Sequence, residues 1–233
     1  MGADSEKRRK ARLKKVYHGW LLVSLALALI VLILLLYKPA GYNPTNVIQN
    51  RQVSPYLTHE LLPELYNGAQ LQKPFELCVR QDGINDAISR SKWPKEASGT
   101  KFSAPAVLFA PGRIVLMGTT DIKGAKLVVT IVVKPALNED GLLELPVTKV
   151  KIGAMNVTFP AKMMARRMYL ERLAEMDTDK RNWRGQIAAA LLNNEPFEPV
   201  FEIDDKKVRL RKITISRGKL TIHLVPASEQ TRH

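Results

Sequence analysis

The pattern of apolar and polar positions changes character at Tyr37. From Val16 to Tyr37 the chain is apolar almost without interruption, reading GWLLVSLALALIVLILLLY from Gly19 onward, and His18 is the one side chain in it able to carry positive charge. Those 22 residues exceed the roughly 20 that a helix needs to cross a hydrocarbon core. They also lack the polar stripe that a core helix of a soluble protein keeps. Trp20 and Tyr37 stand near the two ends, as membrane-anchor residues whose rings favour the water–lipid boundary.

Beyond the span, residues 38–55 are rich in Pro, Asn and Gly, and read as a linker. Leucines at helical spacing interrupted by Pro63 predict a broken helix over 56–72. Phe75, Leu77 and Val79 then alternate with polar or small residues, the period of a strand, and Asp82 opens a short helix that runs to Ser89. Residues 91–104 read as a loop. Strands follow at Ala106–Ala110, Arg113–Gly118 and Lys126–Lys134, the first two joined by Pro111-Gly112. Lys126 to Val133 is apolar on both faces and therefore needs two covers.

Asn138 to Gly141 predicts a tight turn, followed by strands at Leu142–Val147 and Lys149–Phe159. A change of inner phase between Val147 and Val150 indicates a β-bulge. An amphipathic helix over 160–176 comes next and a second over 182–194, closed by Pro196 and Pro199. Strands at 208–215 and 220–224 turn at Arg217-Gly218. The expected class is α+β: an N-terminal transmembrane helix, then a long, curved antiparallel sheet packed on one or two amphipathic helices.

Charge orients this arrangement. Residues 1–15 carry seven basic side chains against Asp4 and Glu6, whereas Lys38 and Arg51 are the next basic residues after the span. That bias places the N-terminus in the cytoplasm. The apolar run is longer than the roughly 7–15 residues of a signal-peptide core, which favours an uncleaved anchor. The expected layout is a basic cytoplasmic tail (1–15), a membrane span (16–37), the linker (38–55), an extracytoplasmic domain (56–226) and a short tail (227–233). Of the net charge of +14, the tail holds +5, and the exported part disperses its own excess of +9. A basic juxtamembrane tail answers to topology and anionic lipid, so no nucleic-acid partner is expected. A single cysteine, Cys78, excludes an intramolecular disulfide framework and fits a bacterial envelope.

The sequence offers little for catalysis. His18, His59, His223 and His233 share no metal-ligand spacing, and there is no phosphate loop, nucleophile elbow or zinc-protease helix. Asp177 and Asp179 would bind a cation only if Asp204 and Asp205 converged on them. We therefore expect no enzyme, no metal and no cofactor. The helix 160–176 is more suggestive, because Met163, Met164, Met168 and Met176 suit adaptable apolar contacts. Met164, Met168 and Leu173, with Val129, Ile131 and Val133 of the strand, are the expected lining of an apolar groove. Lys162, Arg166 and Arg167 are the expected contacts to anionic headgroups.

The order of elements resembles a known group. A membrane anchor precedes Phe75–Val79 and the helix Gly83-Ile84-Asn85-Asp86-Ala87-Ile88. The strand Gly112–Gly118, the hairpin segment Val150–Val157 and the closing run Val208–Ile222 come after it. This pattern, over about residues 70–226, resembles the YpmS-type and LmeA-type bacterial envelope proteins, which are similar to tubular lipid-binding domains. Residues 91–104 depart from it as an insertion. The resemblance implies a long curved sheet wrapped on a helix, enclosing an apolar groove for lipid. The expected function is thus a non-enzymatic, membrane-anchored lipid- or hydrophobic-ligand-binding protein at the bacterial cytoplasmic membrane, its partner a membrane lipid. The alternative is a scaffolding component of an envelope assembly with a protein partner.

Overall fold

A computed structural model describes residues 3–44, 53–91, 93–97, 100–122, 124–175 and 183–227. At 168–175, at 3–13 and at a few single positions it describes the backbone alone. The chain is α+β, with antiparallel sheets and an N-terminal apolar helix. Helix α1 (Ala3–Leu36) contains the stretch Tyr17–Leu36, of mean hydropathy 3.0 and with none of it buried. It is long and apolar enough to cross a membrane.

After a π-helical turn segment (Tyr56–Leu61) come α2 (Leu62–Gln70), β1 (Phe75–Arg80) and α3 (Gln81–Ser89). Strands β2 (Lys95–Ala97), β3 (Thr100–Ala110), β4 (Arg113–Ile122) and β5 (Ala125–Val133) form a meander. A small hairpin, β6 (Ala136–Leu137) and β7 (Leu143–Glu144), leads to β8 (Val147–Ile152) and β9 (Met155–Asn156). Helices α4 (Thr158–Glu175) and α5 (Trp183–Asn193) precede β10 (Val200–Ile203), β11 (Lys206–Ser216) and β12 (Lys219–Pro226). One sheet has the order β1-β12-β11-β10, the other β2-β3-β4-β5-β8-β9, and every pairing is antiparallel.

The main core lies where the two sheets meet. Leu77, Val79, Val208, Leu210, Ile215 and Leu224 from the first sheet pack with Phe109 of β3, Ala190 of α5 and Phe197. The turns of the two sheets interlock: Gly112 N–H donates to Ile215 O at 3.0 Å and Gly218 N–H to Phe109 O at 3.1 Å. Both glycines, second of the two turn residues, have positive φ, a conformation glycine adopts without steric cost.

Helix α3 closes a sheet edge. Past its bulge between Ser103 and Ala106, β3 pairs only with β4, which leaves backbone groups of Val107 and Phe109 pointing away from that partner. Asn85 Nδ2 donates to Val107 O at 2.8 Å, and its Oδ1 accepts from Val107 N–H at 2.7 Å. Gln81 Oε1 accepts from Phe109 N–H at 2.8 Å. Residues four apart on a helix share a face, so two amides at that spacing match alternate residues of a strand and stand in for a missing neighbour.

Asp86 on the same helix holds the chain that enters the domain. Its carboxylate accepts the hydroxyl of buried Ser54 at 2.5 Å and Arg90 Nε at 3.0 Å. These contacts, the Ser54 hydrogen bond first, hold the Asp86 carboxyl below its ordinary 3.8. A lowered folded-state value contributes stability that is complete above the ordinary value and lost as pH falls through the folded one. Urea midpoints of the wild type should therefore drop below about pH 4 more steeply than those of Asp86→Asn. Parallel curves would show that Asp86 carries none of this dependence.

The structure departs from the expected elements in places with identifiable causes. The predicted loop 91–104 contains β2 and the start of β3. Asn138–Gly141 closes only the β6–β7 hairpin, while β8 pairs with β5. The bulge expected near Val147 is present: Val132 faces Lys149 and Val133 faces Val147, so Thr148 is the extra residue. The strand expected to reach Phe159 instead turns at Gly153-Ala154, and α4 begins at Thr158.

The largest difference concerns the linker. Residues 45–52 lie outside the described residues, but residues 38–44 pack on the six-stranded sheet. Tyr42 is 5 % exposed, clustered with Ala106, Met117 and Val128, and its hydroxyl lies 2.6 Å from Thr119 Oγ1. Lys38 Nζ stands over its ring at 5.6 Å. The end of α1 also meets this sheet, where Ala154 N–H donates to Leu34 O at 2.8 Å.

Candidate ligand groove

Strand alternation sorts the six-stranded sheet into two faces. The outer face carries Ala106, Met117, Thr119, Val128 and Gly153, and is covered by Tyr42 and the end of α1. This is one of the two covers that the doubly apolar strand β5 requires.

The inner face is apolar in successive rows. Phe109, Ile114 and Val133 lie in the first row and Val107, Leu116, Ile131 and Val150 in the second. Gly118, Val129 and Ile152 form the third, and Phe102, Thr120 and Leu127 the fourth, which continues to Lys95 on β2. The first row belongs to the main core, with Phe109 and Val133 buried. Leu116, Val129, Ile131, Val150 and Ile152 are only half-buried. From Ile114 to Thr120 the face extends about 20 Å at the rise of a strand. The result is an apolar strip that begins in the core and ends beside the Gly153-Ala154 turn that holds α1.

The expected groove residues separate. Val129 and Ile131 lie side by side on the half-buried strip, and Val133 lies at its buried end. Met164, expected beside them, stands at the surface with 65 % exposure. The cause is the phase of α4: Ala161 and Ala165 are its half-buried positions, which turns Phe159, Met163 and Met164 outward. The side chains of Met168 and Leu173 lie outside the described residues.

Lys162, Arg166 and Arg167 are exposed on α4. Lys162 and Arg166 join Phe159, Met163, Leu191 and Leu192 around an open cleft of about 500 Å³ between α4 and α5. Trp20 on α1 and Tyr37, the residue after that helix, are both exposed. Leu116, Gly118 and Thr120 are additions to the expected lining. Their alternation along β4 was the available signal, but the predicted strand ends at Gly118, where the apolar pattern stops.

Asp204, Asp205, His223, Cys78 and Tyr56 lie on other elements than those of the strip. Asp204 and Asp205 form the β10–β11 turn, both at positive φ, and Asp177 and Asp179 lie outside the described residues. Among the described residues no three His, Cys, Asp or Glu side chains stand close enough to hold a metal ion. His223 faces Glu76 across the β1–β12 ladder, Nδ1 to Oε1 at 3.1 Å. Cys78 is a free, half-buried thiol on β1. Tyr56 is buried against α3, its hydroxyl accepts from Arg80 N–H at 2.8 Å, and burial pushes that hydroxyl above its ordinary 10.0. No family model matches this sequence, and no curated protein matches it.

Proposed function

We propose that the chain is a single-pass, membrane-anchored extracytoplasmic domain that holds a lipid or other apolar ligand on the inner face of its six-stranded sheet. The carrying observation is the row of half-buried apolar side chains Leu116, Val129, Ile131, Val150 and Ile152. Their sheet is joined to the end of the apolar helix through Ala154 and Leu34, which supports a strip lying beside a source of lipid. The Lys/Arg bias of residues 1–15 supports an N-terminus in the cytoplasm, and the lack of a disulfide framework supports a bacterial envelope. The role is binding and presentation, without chemistry on the ligand.

Organic extraction of the purified full chain, followed by lipid mass spectrometry, tests this reading. Stoichiometric lipid is expected, reduced in Val129→Trp, which fills the strip. A protein that carries no lipid, and gains no thermal stability from added phospholipid, would remove the proposal.

A second reading draws on the exposed cluster Phe159, Met163, Met164 and Leu192 beside Lys162 and Arg166. Contiguous exposed apolar surface of this kind marks interaction sites, and supports a scaffolding role with an envelope protein docked on α4 and α5. Cross-linking from Met163 to a stoichiometric protein partner, with no lipid extracted, would favour it over the first.

A further inference from the structure

The inner column of β4 runs Ile114, Leu116, Gly118, Thr120, and its last member is out of character. Thr120 is 3 % exposed, and among the described residues its Oγ1, like that of Thr130 on the outer face, has no hydrogen-bond partner. Its cross-strand neighbours are Phe102 on β3 and Leu127 on β5, neither with a polar side-chain atom to offer. Buried hydroxyls are ordinarily satisfied, and an orphan calls for an explanation.

A glycine lies beside it. A Cβ placed at Gly118, one step along the same face, would meet nothing nearer than Ser103 O at 3.8 Å. Phe102, at the other side, is 39 % exposed and marks the rim. Charge on the strands beside it points the other way: Lys101, Asp121 and Lys126 form one row, which alternation puts on the outer face, and Lys95 enters the inner row only beyond Phe102.

We propose that Thr120 is the polar anchor of the groove, hydrogen-bonding a neutral hydroxyl or ester group of the ligand whose apolar remainder lies over Gly118, Leu116, Val129 and Ile152. This rests on the groove reading above and adds the class of ligand and its direction. A pure hydrocarbon would fill the strip and leave the hydroxyl unpaired. A carboxylate or phosphate at Thr120 would lose its hydration with no counter-charge on β4 or β5 of this face, Lys95 standing in the row only beyond Phe102, and that loss is costly. A neutral oxygen accepts from Thr120 and costs least to bury. The chain end of the ligand then points toward Ile114 and the core, with its polar end at the Phe102 rim.

The test uses the full chain in amphipol, equilibrated with an equimolar mixture of deuterated hexadecane and hexadecan-1-ol and then repurified. Mass spectrometry reads the ratio retained. The wild type should favour the alcohol about tenfold over its ratio in Thr120→Val, the worth of one buried hydrogen bond. Thr120→Ser should keep the preference. Thr120→Val removes an orphan hydroxyl at nearly constant volume, so it should melt no lower than the wild type when empty. Hexadecan-1-ol should raise its melting temperature less than that of the wild type. Retention of neither probe would overturn the groove reading itself. Retention of both with the same ratio in wild type and Thr120→Val would leave the groove standing and overturn the anchor.

Discussion

Replacing Gly153 by Ala should detach the end of the apolar helix α1 from the sheet. Gly153 sits at φ +59°, and a Cβ there would fall on the carbonyl oxygens of Leu34 and Leu35. A left-handed conformation costs an L-residue about 1–2 kcal/mol. The clash adds to this, because the obstructing atoms are backbone and cannot rotate away. The cheapest relief is for α1 to withdraw, which breaks the hydrogen bond from Ala154 N–H to Leu34 O. Tyr42 on the outer face then keeps its own packing and its contact with Thr119, but loses the support of the helix end. We expect a combined loss of about 2–4 kcal/mol from backbone strain and a broken hydrogen bond. The direct readout is spin-label distance between α1 and β4 in the full chain reconstituted in nanodiscs: narrow in the wild type, broad in Gly153→Ala. Equal, narrow distributions would mean that the helix end is not held by this contact.

The helix end is thus part of the packing of the domain, a relation the sequence does not reveal. The pattern from Val16 to Tyr37 defines a span and carries no information about the chain beyond it, and Pro, Gly and Asn after Tyr37 read as free chain. Tyr42 reverses this for residues 38–44, because one aromatic ring supplies the second cover that β5 needs. The requirement for two covers was legible in Lys126–Val133, where neither phase is polar. The identity of the cover was not, since it comes from a segment more than eighty residues earlier in the chain with no periodicity of its own.

Strands with one dry and one wet face were readable throughout, as Phe75–Arg80 and the β11–β12 hairpin show. The start of β3 was hidden by Pro105, which argues against a strand interior. It sits inside the bulge between Ser103 and Ala106, where its missing N–H costs no ladder bond. The site was less legible for a related reason. Val129 and Ile131 follow from periodicity within β5, whereas Gly118 and Thr120 join the same inner face only through the register that sets them against Val129 and Leu127. Met164 stands at the surface, because a methionine suits a groove and a surface equally and the phase of α4, with Ala161 and Ala165 half-buried, is set by packing.

Asn85 should be the side chain whose loss damages the domain most. Its amide makes both hydrogen bonds that Val107 needs at the open edge of β3, and Val107 is half-buried against the main core. Asn85→Ala would leave an N–H and a C=O without partners in a space that a methyl cannot fill. Each orphaned buried group costs about 1–3 kcal/mol, so a loss of about 2–5 kcal/mol is expected. Asn85→Asp separates the two contributions: the carboxylate still accepts from Val107 N–H but repels Val107 O at neutral pH. That variant should regain stability as pH falls and its carboxyl protonates into a donor, the reverse of the wild type's response through Asp86. Chemical denaturation of the three proteins at pH 7 and pH 4 supplies the comparison. If Asn85→Ala and Asn85→Asp were both as stable as the wild type at pH 7, α3 would not be closing the edge. The β3 edge would then be open to another strand, and the apolar strip behind Val107 would be open with it.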